Sequence, residues 1–423
     1  MANTPSSILT LTNNEFSQSS LVLFTQPVNS NQGLSISFDF YAYGGTGGDG
    51  ISFILLDGSQ SPVQPGGFGG SLGYAPRMII DGDAKAGIAG GYLGIGFDEF
   101  GSFSADGEGR VGGIGGQADS IAVRGSAATN YAFLTGTGSL QPFGISIDNV
   151  APNANRDNSR RRSQVDLTPT GLLSVRVDFN GDNDFNDPKE LAIDSFNVVS
   201  VNGALPSQFK FGFAASTGGN TNFHEIGGFQ VRTATGATIA GEFRDSLQVG
   251  SDNDDQLVGG NRDDVLTGGG GRDTSTGNDG ADRFLFSGTT KAAALRTSTL
   301  RSIDQITDFT FSEGDRFQLD FDNNLNTRNS PRRLHNAGER RGGLRKAAQS
   351  AYADLLPRRR GNQALKPNEA VFFRNGSRTY LSVNDDKAGF SARNDLLVDV
   401  TGIQFSGSDA QRVGTLSVRR YFA

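Results

Sequence analysis

Residues 250–285 read GSDNDDQLV, GGNRDDVLT, GGGGRDTST and GNDGADRFL, four units of nine in unbroken register. Gly250, Gly259, Gly268 and Gly277 open the units. Asp255, Asp264, Asp273 and Asp282 recur at the sixth position, and Leu257, Leu266 and Phe284 follow two residues later. Glycine reaches backbone conformations that turn several carbonyl oxygens toward one point, aspartate adds anionic oxygens, and the apolar residue two places on turns inward. The period therefore predicts oxygen-rich turns alternating with short apolar strands, a calcium-binding arrangement. A flexible Gly/Asp linker has this composition but no need of the register.

The pattern resembles the RTX nonapeptide, glycine-glycine-x-glycine-x-aspartate-x-apolar-x. In that family each unit is half a turn of a parallel β-roll, which implies that Asp255 stacks on Asp273 and Asp264 on Asp282. Successive turns lie about 4.8 Å apart, near enough for two carboxylates to share an ion and too near for both to stay charged without one. The resemblance implies Ca2+ as cofactor and disorder of the segment without it. Its candidate ligands are Gly250, Asp252, Asp255, Gly259, Asp264, Gly268, Gly270, Asp273, Gly277, Asp279 and Asp282. Asn253 and Arg262 depart from the fourth-position glycine, and Ser275 from the apolar slot, so two good sites are expected.

Working outward, 423 residues suffice for two or three cored domains. Phe is the commonest aromatic at 31, against 8 Tyr and no Trp, and 59 glycines argue for many turns between short strands. The fold class expected is all-β. With no cysteine, disulfides, thiolate nucleophiles and Cys-ligated zinc are excluded. Residues 1–25 lack a basic region followed by an unbroken apolar stretch, and no run reaches the roughly 18 apolar residues of a membrane span. An RTX-like protein is expected to leave through the type I secretion apparatus and to be secreted, extracellular or attached to a cell surface, where calcium is abundant.

The formal charge is −7, unevenly spread: residues 250–285 hold eight Asp and three Arg, whereas 331–360 hold eight Arg and one Lys against one Glu and one Asp. No aromatic RNA motif or zinc ligand set accompanies the basic run, so no nucleic acid is expected as a partner. A solvated helix surface or contact with acidic glycans accounts for it.

From residue 1 to 235 the pattern is strand, glycine turn, strand. LSISFDFYAY (34–43), ISFILL (51–56), GYLGIGFDEF (91–100), FGISI (143–147), LLSVRVDF (172–179) and FKFGFAAS (209–216) read as strands of a β-sandwich or jelly roll. GGDGISFILLDG, GGFGGSLGY, GGYLGIGFDEFGSFS and FGFAASTGGNTNFHEIGGFQV, in that order over residues 44–231, resemble the legume-type (L-type) lectin fold in its bacterial form. The resemblance implies a partner polysaccharide or glycoconjugate held by Asp49, by a backbone N–H of Gly69 or Gly70, and by Phe100 and Ser102. It implies calcium at Asp98, the Phe100 carbonyl, Ser102 and Asp106. Ser102 replaces the family's asparagine and Gly96 the glutamate that binds its transition metal, so that second metal is expected to be lost.

Laminarinase-type glycoside hydrolases share the architecture but need two carboxylates about 5–5.5 Å apart on one side of a strand. Asp98 and Glu99 are adjacent and face opposite ways, and Glu108 has no partner in sequence. No enzyme is expected, and no catalytic residue is assigned; His224 is expected to cap or pack. A further metal loop, Asp178, Asn180, Asp182 and Asp184, places oxygens at alternate positions like the start of an EF-hand loop. Asn183 and Lys189 depart from that pattern, and a polar hairpin accounts for it as well.

Past the repeats, IDQITDFTFSEGDRFQLDF (303–321) puts Asp304, Asp308 and Asp315 at turns and is expected to cap the roll. Residues 341–357 read as helix. EAVFFRNGSRTYLSVNDDKAGFSARNDLLVDVTGIQF (369–405) carries a hairpin signal at Asn375-Gly376 and resembles the bluetail domain of cyanobacterial surface proteins, while the closing LSVRRYFA is compatible with an exporter-read signal. The expected organisation is a lectin-like sandwich over 1–235, a calcium roll over 236–290, its cap over 291–325, and a small β-rich domain with one or two helices over 326–423. The function expected is calcium-dependent carbohydrate binding, with a structural surface or matrix protein as the alternative and a glycoside hydrolase behind both.

Overall fold

The computed structural model describes residues 8–60, 62, 64–78, 84–240, 246–260, 262–325, 327–357 and 359–423. Among the described residues the regular structure is mostly β-strand with few helices, and the chain divides into two compact units, Met1–Leu247 and Gln248–Ala423.

The first unit is a jelly-roll sandwich of two antiparallel sheets. One runs Leu9–Thr12, Phe223–Arg232, Leu34–Tyr43, Arg160–Leu167, Leu172–Asp178, Leu191–Asn197 in space; the other runs Ser19–Phe24, Gln208–Ser216, Gly50–Asp57, Gly91–Asp98, Ser120–Arg124, Phe133–Gly136. Period-two alternation in Leu34–Tyr43 sends Phe38 and Phe40 inward. There Phe38 meets Phe213, Phe97 and Phe53 of the facing sheet at 4.7, 5.7 and 5.9 Å between ring centroids, which accounts for the phenylalanine-rich composition. Each such ring buries enough apolar surface to contribute about 1.5–3 kcal/mol.

Gly91–Asp98 is buried along its whole length because loops cover its outer face. Leu93, Ile95 and Phe97 fill the core. A Cβ at Gly94 would come within 2.3 Å of the Tyr74 ring, and one at Gly96 within 2.3 Å of Phe103. Gly96 is thus a floor for an aromatic ring.

FGISI is not a strand. Gln141–Phe143 is a single 3-10 turn, and Ile147 reaches the core from an irregular segment whose backbone is held by Asp119: Ile147 N donates to Asp119 Oδ1 at 2.8 Å, as does Ser146 Oγ at 3.0 Å. The two isoleucines alternate like strand residues, but a side chain rather than a neighbouring strand satisfies the backbone.

In the second unit, Gln256–Val258, Thr274–Thr276 and Gln305–Ile306 pair in parallel, and so do Val265–Thr267, Arg283–Ser287 and Arg316–Asp320. Gln256 pairs with Thr274 and Val265 with Arg283, eighteen residues apart, so each nine-residue unit is half a turn of a roll. The roll continues through 320 and, by Gln305 beside Asp399, into a sheet formed by Leu396–Asp399, Arg378–Val383, Ala370–Asn375, Leu334–Glu339 and Gly414–Leu416. Leu257, Leu266, Phe284, Phe317, Phe372 and Tyr421 share one core. The hairpin closes through Gly376 and Ser377 between paired Asn375 and Arg378, and the helix Leu344–Ala353 lays Ala347, Ala351 and Tyr352 against Phe373 and Tyr380. Among the described residues no helix is long and apolar enough to cross a membrane.

Candidate functional site

Asp49 opens the strand Gly50–Asp57, beyond a cis peptide from Gly48. Its N–H donates to Ser216 O at 2.9 Å, and its carbonyl accepts from Glu99 N at 3.0 Å and Phe100 N at 3.4 Å. These bonds fix the carboxylate where three loops meet. A Cβ on Gly218 would lie 2.6 Å from Asp49 Oδ2, and one on Gly70 2.1 Å from Ser102 Cβ; both glycines let backbone approach where a side chain would fill the space. Asp49 Oδ2 is buried and has no hydrogen-bond donor. Burial first, then the charge of Glu99, push this carboxyl up to about 7. Asp49, Gly69, Gly70, Phe100 and Ser102 therefore lie together, with Phe100 half exposed at 52 %. The Gly69 N–H, however, is engaged by Thr217 O at 3.1 Å.

Behind Asp49 runs a buried polar row. His224 places Nε2 2.8 Å from Glu99 Oε1 and Nδ1 2.6 Å from Thr12 Oγ1. Asn222 Nδ2 donates to Glu99 Oε2 at 2.8 Å and to Asp148 Oδ2 at 2.9 Å. Glu99, Asp148, Asn222 and His224 are all at least nine-tenths buried, and burial with the Glu99 charge raises the Asp148 carboxyl to about 6.

Asp98 is fully buried, and its carboxylate is spent on its own loop. It accepts from Gly101 N and Phe103 N at 2.8 Å and from Ser104 N at 3.2 Å. Burial still outweighs these bonds and raises its pKa to about 8. Asp106 is exposed and accepts from Gly112 N at 2.9 Å. The loop's shape is set by Arg124, which is wholly buried and donates to the carbonyls of Phe103, Ala105, Val111, Gly112 and Tyr131 at 2.6–3.2 Å. A cation between Asp98 and Asp106 would compete with amides that already close the loop, and the residues present do not fit one.

The roll differs. Asp255 N donates to Asp273 Oδ1 and Asp264 N to Asp282 Oδ1, both at 2.9 Å, so aspartates eighteen apart do stack. Asp273 N in turn donates to Asp304 Oδ1 at 3.1 Å and Asp282 N to Asp315 Oδ1 at 2.9 Å, lengthening each column by one carboxylate. Asp273 Oδ2 and Asp282 Oδ2 are buried without a donor. Burial, then the charge of Asp304, lifts Asp273 to about 9; burial, offset by the Asp264 amide, leaves Asp282 at about 8. A Cβ on Gly250 or Gly259 would fall within 2.3 or 2.4 Å of the Gly268 or Gly277 carbonyl oxygen, and a Cβ on Gly268 or Gly277 would strike Asp273 or Asp282. Asp252 stacks against Gly270 of the next turn, and Asp279 is exposed. Orphaned carboxylate oxygens beside crowded carbonyls suit a hard cation. Among the described residues no group of three or more His, Cys, Asp or Glu side chains is arranged to hold a metal ion, so such a cation would draw on backbone carbonyls as well.

No protein-family model matches the chain, and no curated protein matches it in sequence. The chain is similar in structure to lectin domains. The VIP36 exoplasmic/lumenal domain in its Ca2+/Man-bound form shares 20% identity over 53% of this chain and 77% of its own, with a TM-score of 0.34. The Lotus tetragonolobus seed lectin shares 16% over 53% and 87%, with a TM-score of 0.35, and the legume lectin-like domain from Entamoeba histolytica 12% over 54% and 90%, with a TM-score of 0.33.

The 178–190 loop closes on itself. Asp178 accepts from Gly181 N at 2.6 Å and Asn183 N at 2.9 Å, Asp182 from Asp184 N at 3.0 Å, and Asp184 from Asn186 N at 2.8 Å, while Asn180 donates to Asp182 and Asp187. Asn183, where an EF-hand has glycine, takes a left-handed φ of 71°, which asparagine tolerates. Glu190, one residue past the closing position, is buried and accepts from Phe179 N and Asp187 N. Sequence reasoning missed Gly218, Glu99 as a partner of His224, and Asp304 and Asp315 as column members. Only the STGGN stretch at 216–220 carried a readable sign of the first.

Proposed function

We propose that this protein is a secreted, calcium-binding, carbohydrate-binding protein whose sandwich takes a polysaccharide or glycoconjugate at Asp49 and whose roll folds around Ca2+ after type I export. The observation that supports sugar binding best is the donorless buried oxygen of Asp49 between Gly69 and Gly218. A carboxylate accepts from two adjacent sugar hydroxyls, each charge-assisted, and half-exposed Phe100 offers an apolar face to a ring. Bound Ca2+ would neutralise the stacked carboxylates of the roll. Asp255, Asp273, Asp264 and Asp282 would hold it, with the carbonyls of Gly268 and Gly277. Calcium at Asp98 and Asp106 has no place in this reading, because Asp98 already closes its loop. The 178–184 loop is likewise assigned no metal.

The test is a glycan array probed with full-length protein and with Asp49→Asn, in calcium and in chelator. Glycan signals present for the native chain and lost in Asp49→Asn support the reading; no glycan signal in calcium sinks it. A second reading, a structural surface protein that has lost sugar binding, is favoured by the Gly69 N–H already engaged by Thr217 and by Ser102 in place of asparagine. It predicts an array that stays silent in calcium. Reducing-sugar release from β-glucans would revive the enzyme reading.

A further inference from the structure

The outer face of the first sheet carries a cleft of about 430 Å³, within the range of small-molecule sites, about 300–1,000 Å³. Its form follows from register. On the central strand Leu34–Tyr43, Ser37 pairs with Gln230 on one side and Gln164 on the other, and Ser35 pairs with Arg232. Short hydroxyl side chains between rows of long ones leave a trough, and Phe185, from the loop after Asp178, stands at its edge.

Charge along this face does not cancel. Asp39 is taken by Arg160 at 3.0 Å and Asp166 by Arg176 at 2.7 Å. Asp178, the register neighbour of Arg162, spends its carboxylate on Gly181 N and Asn183 N. Among the described residues, no carboxylate is recorded within ion-pair distance of Arg162 or Arg232, and Arg232 donates only to Gln230 Oε1 at 3.3 Å. No carboxylate lines the cleft, so its two arginines are its only charged lining, although exposed Asp182, Asp184 and Asp187 lie on the loop that carries Phe185. Gln164 gives its amide N–H groups to Asp166 at 2.9 and 3.0 Å, which leaves its carbonyl oxygen as an acceptor.

We propose that this cleft binds an acidic oligosaccharide, one bearing carboxylate or sulfate groups, separately from the Asp49 site. Arg162 and Arg232 take the anionic groups with their planar donor forks. The serine hydroxyls and glutamine amides take ring hydroxyls, and Phe185 takes the C–H face of a sugar ring. A simple anion would use the arginines alone and leave the neutral polar groups idle.

Calorimetry of the full chain carrying Asp49→Asn, so that only the cleft is read, with trigalacturonate, a sulfated trisaccharide, a neutral trisaccharide and inorganic sulfate decides the matter. At least one charged trisaccharide should bind, with the neutral one and sulfate at least about ten-fold weaker. Arg162→Gln added to that chain should lose about ten-fold or more for the charged ligand. Arg232→Gln, at an exposed position, gives the same reading if Arg162→Gln fails to fold. The proposal is overturned if neither charged trisaccharide binds to the Asp49→Asn chain, if sulfate or the neutral trisaccharide binds to it as well, or if folded arginine variants match that parent. The Asp49 reading can fail without touching these results.

Discussion

Asp49 Oδ2 is buried and accepts no hydrogen bond from the protein, which costs a fold about 1–3 kcal/mol. A pKa raised from 3.8 to about 7 says the same thing: the folded state holds the proton more tightly than the unfolded chain, so stability falls as pH rises through that window. Replacing the charge with an amide should therefore raise the melting temperature of the first unit at pH 8 while removing glycan binding. Calorimetry and the array check the two effects together, and a lower melting temperature would mean that Asp49 serves the fold instead. Arg124 has the opposite balance. Five carbonyl oxygens lose their donors in Arg124→Met, so urea unfolding should show a loss of about 3 kcal/mol or more, at about 1–3 kcal/mol for each buried acceptor left unsatisfied, and Arg124→Lys, with a point charge in place of a planar fork, should recover little of it. Asp49 was named from sequence as a sugar ligand, but neither the role of Arg124 nor the polar row behind Asp49 was legible there. Arg124 stands in an ordinary strand pattern, and the Glu99, Asn222 and His224 cluster joins segments more than a hundred residues apart.

At the scale of elements, the roll was the most legible part of the chain because its geometry is periodic, and a period survives in sequence where a tertiary meeting does not. The nine-residue rule placed Asp255 on Asp273 and Asp264 on Asp282. It stopped at Asp304 and Asp315 because the columns reach them across insertions, 31 and 33 residues further on. FGISI failed for the converse reason: alternation alone cannot show that Asp119, and not a strand, takes the backbone amides. Two predictions belong here. Asp273 and Asp282 have folded pKa values of about 9 and 8 against 3.8, so in chelator the roll should lose stability steadily from about pH 4 to pH 9. Calcium should remove that slope, and circular dichroism melts across this range with and without the ion would show it; a flat profile in chelator would exclude buried protonated carboxyls. Ser275, buried in register between Leu257 and Ile306, occupies an apolar column. Ser275→Val should stabilise the roll by about 1 kcal/mol, and urea denaturation would detect a change of either sign.

For the whole molecule, each unit has its own core, one built on Phe38, Phe53, Phe97 and Phe213 and the other on Phe284, Phe317, Phe372 and Tyr421. Only the second contains the aspartate columns. An ion that binds the folded roll and not the unfolded chain stabilises it by mass action, about 2.7 kcal/mol per site at a hundred times the dissociation constant. Two sites would give about 5 kcal/mol, or roughly 10–20 °C for a unit of this size. Scanning calorimetry of the full chain should accordingly resolve a transition that climbs with calcium and one that does not. Adding neutral glycan should move the second alone, because Asp49 belongs to the other core. If calcium shifted both transitions equally, an ion would have to bind the sandwich as well, and the loop at Asp98 would have to release the amides of Gly101, Phe103 and Ser104 to hold it. Asp98→Asn separates the cases. It removes the charge that such an ion needs and keeps one of the two oxygens on which the loop amides converge, so it should leave the calcium response of the sandwich transition at zero if the roll is the sole calcium element, and abolish a measurable response if it is not.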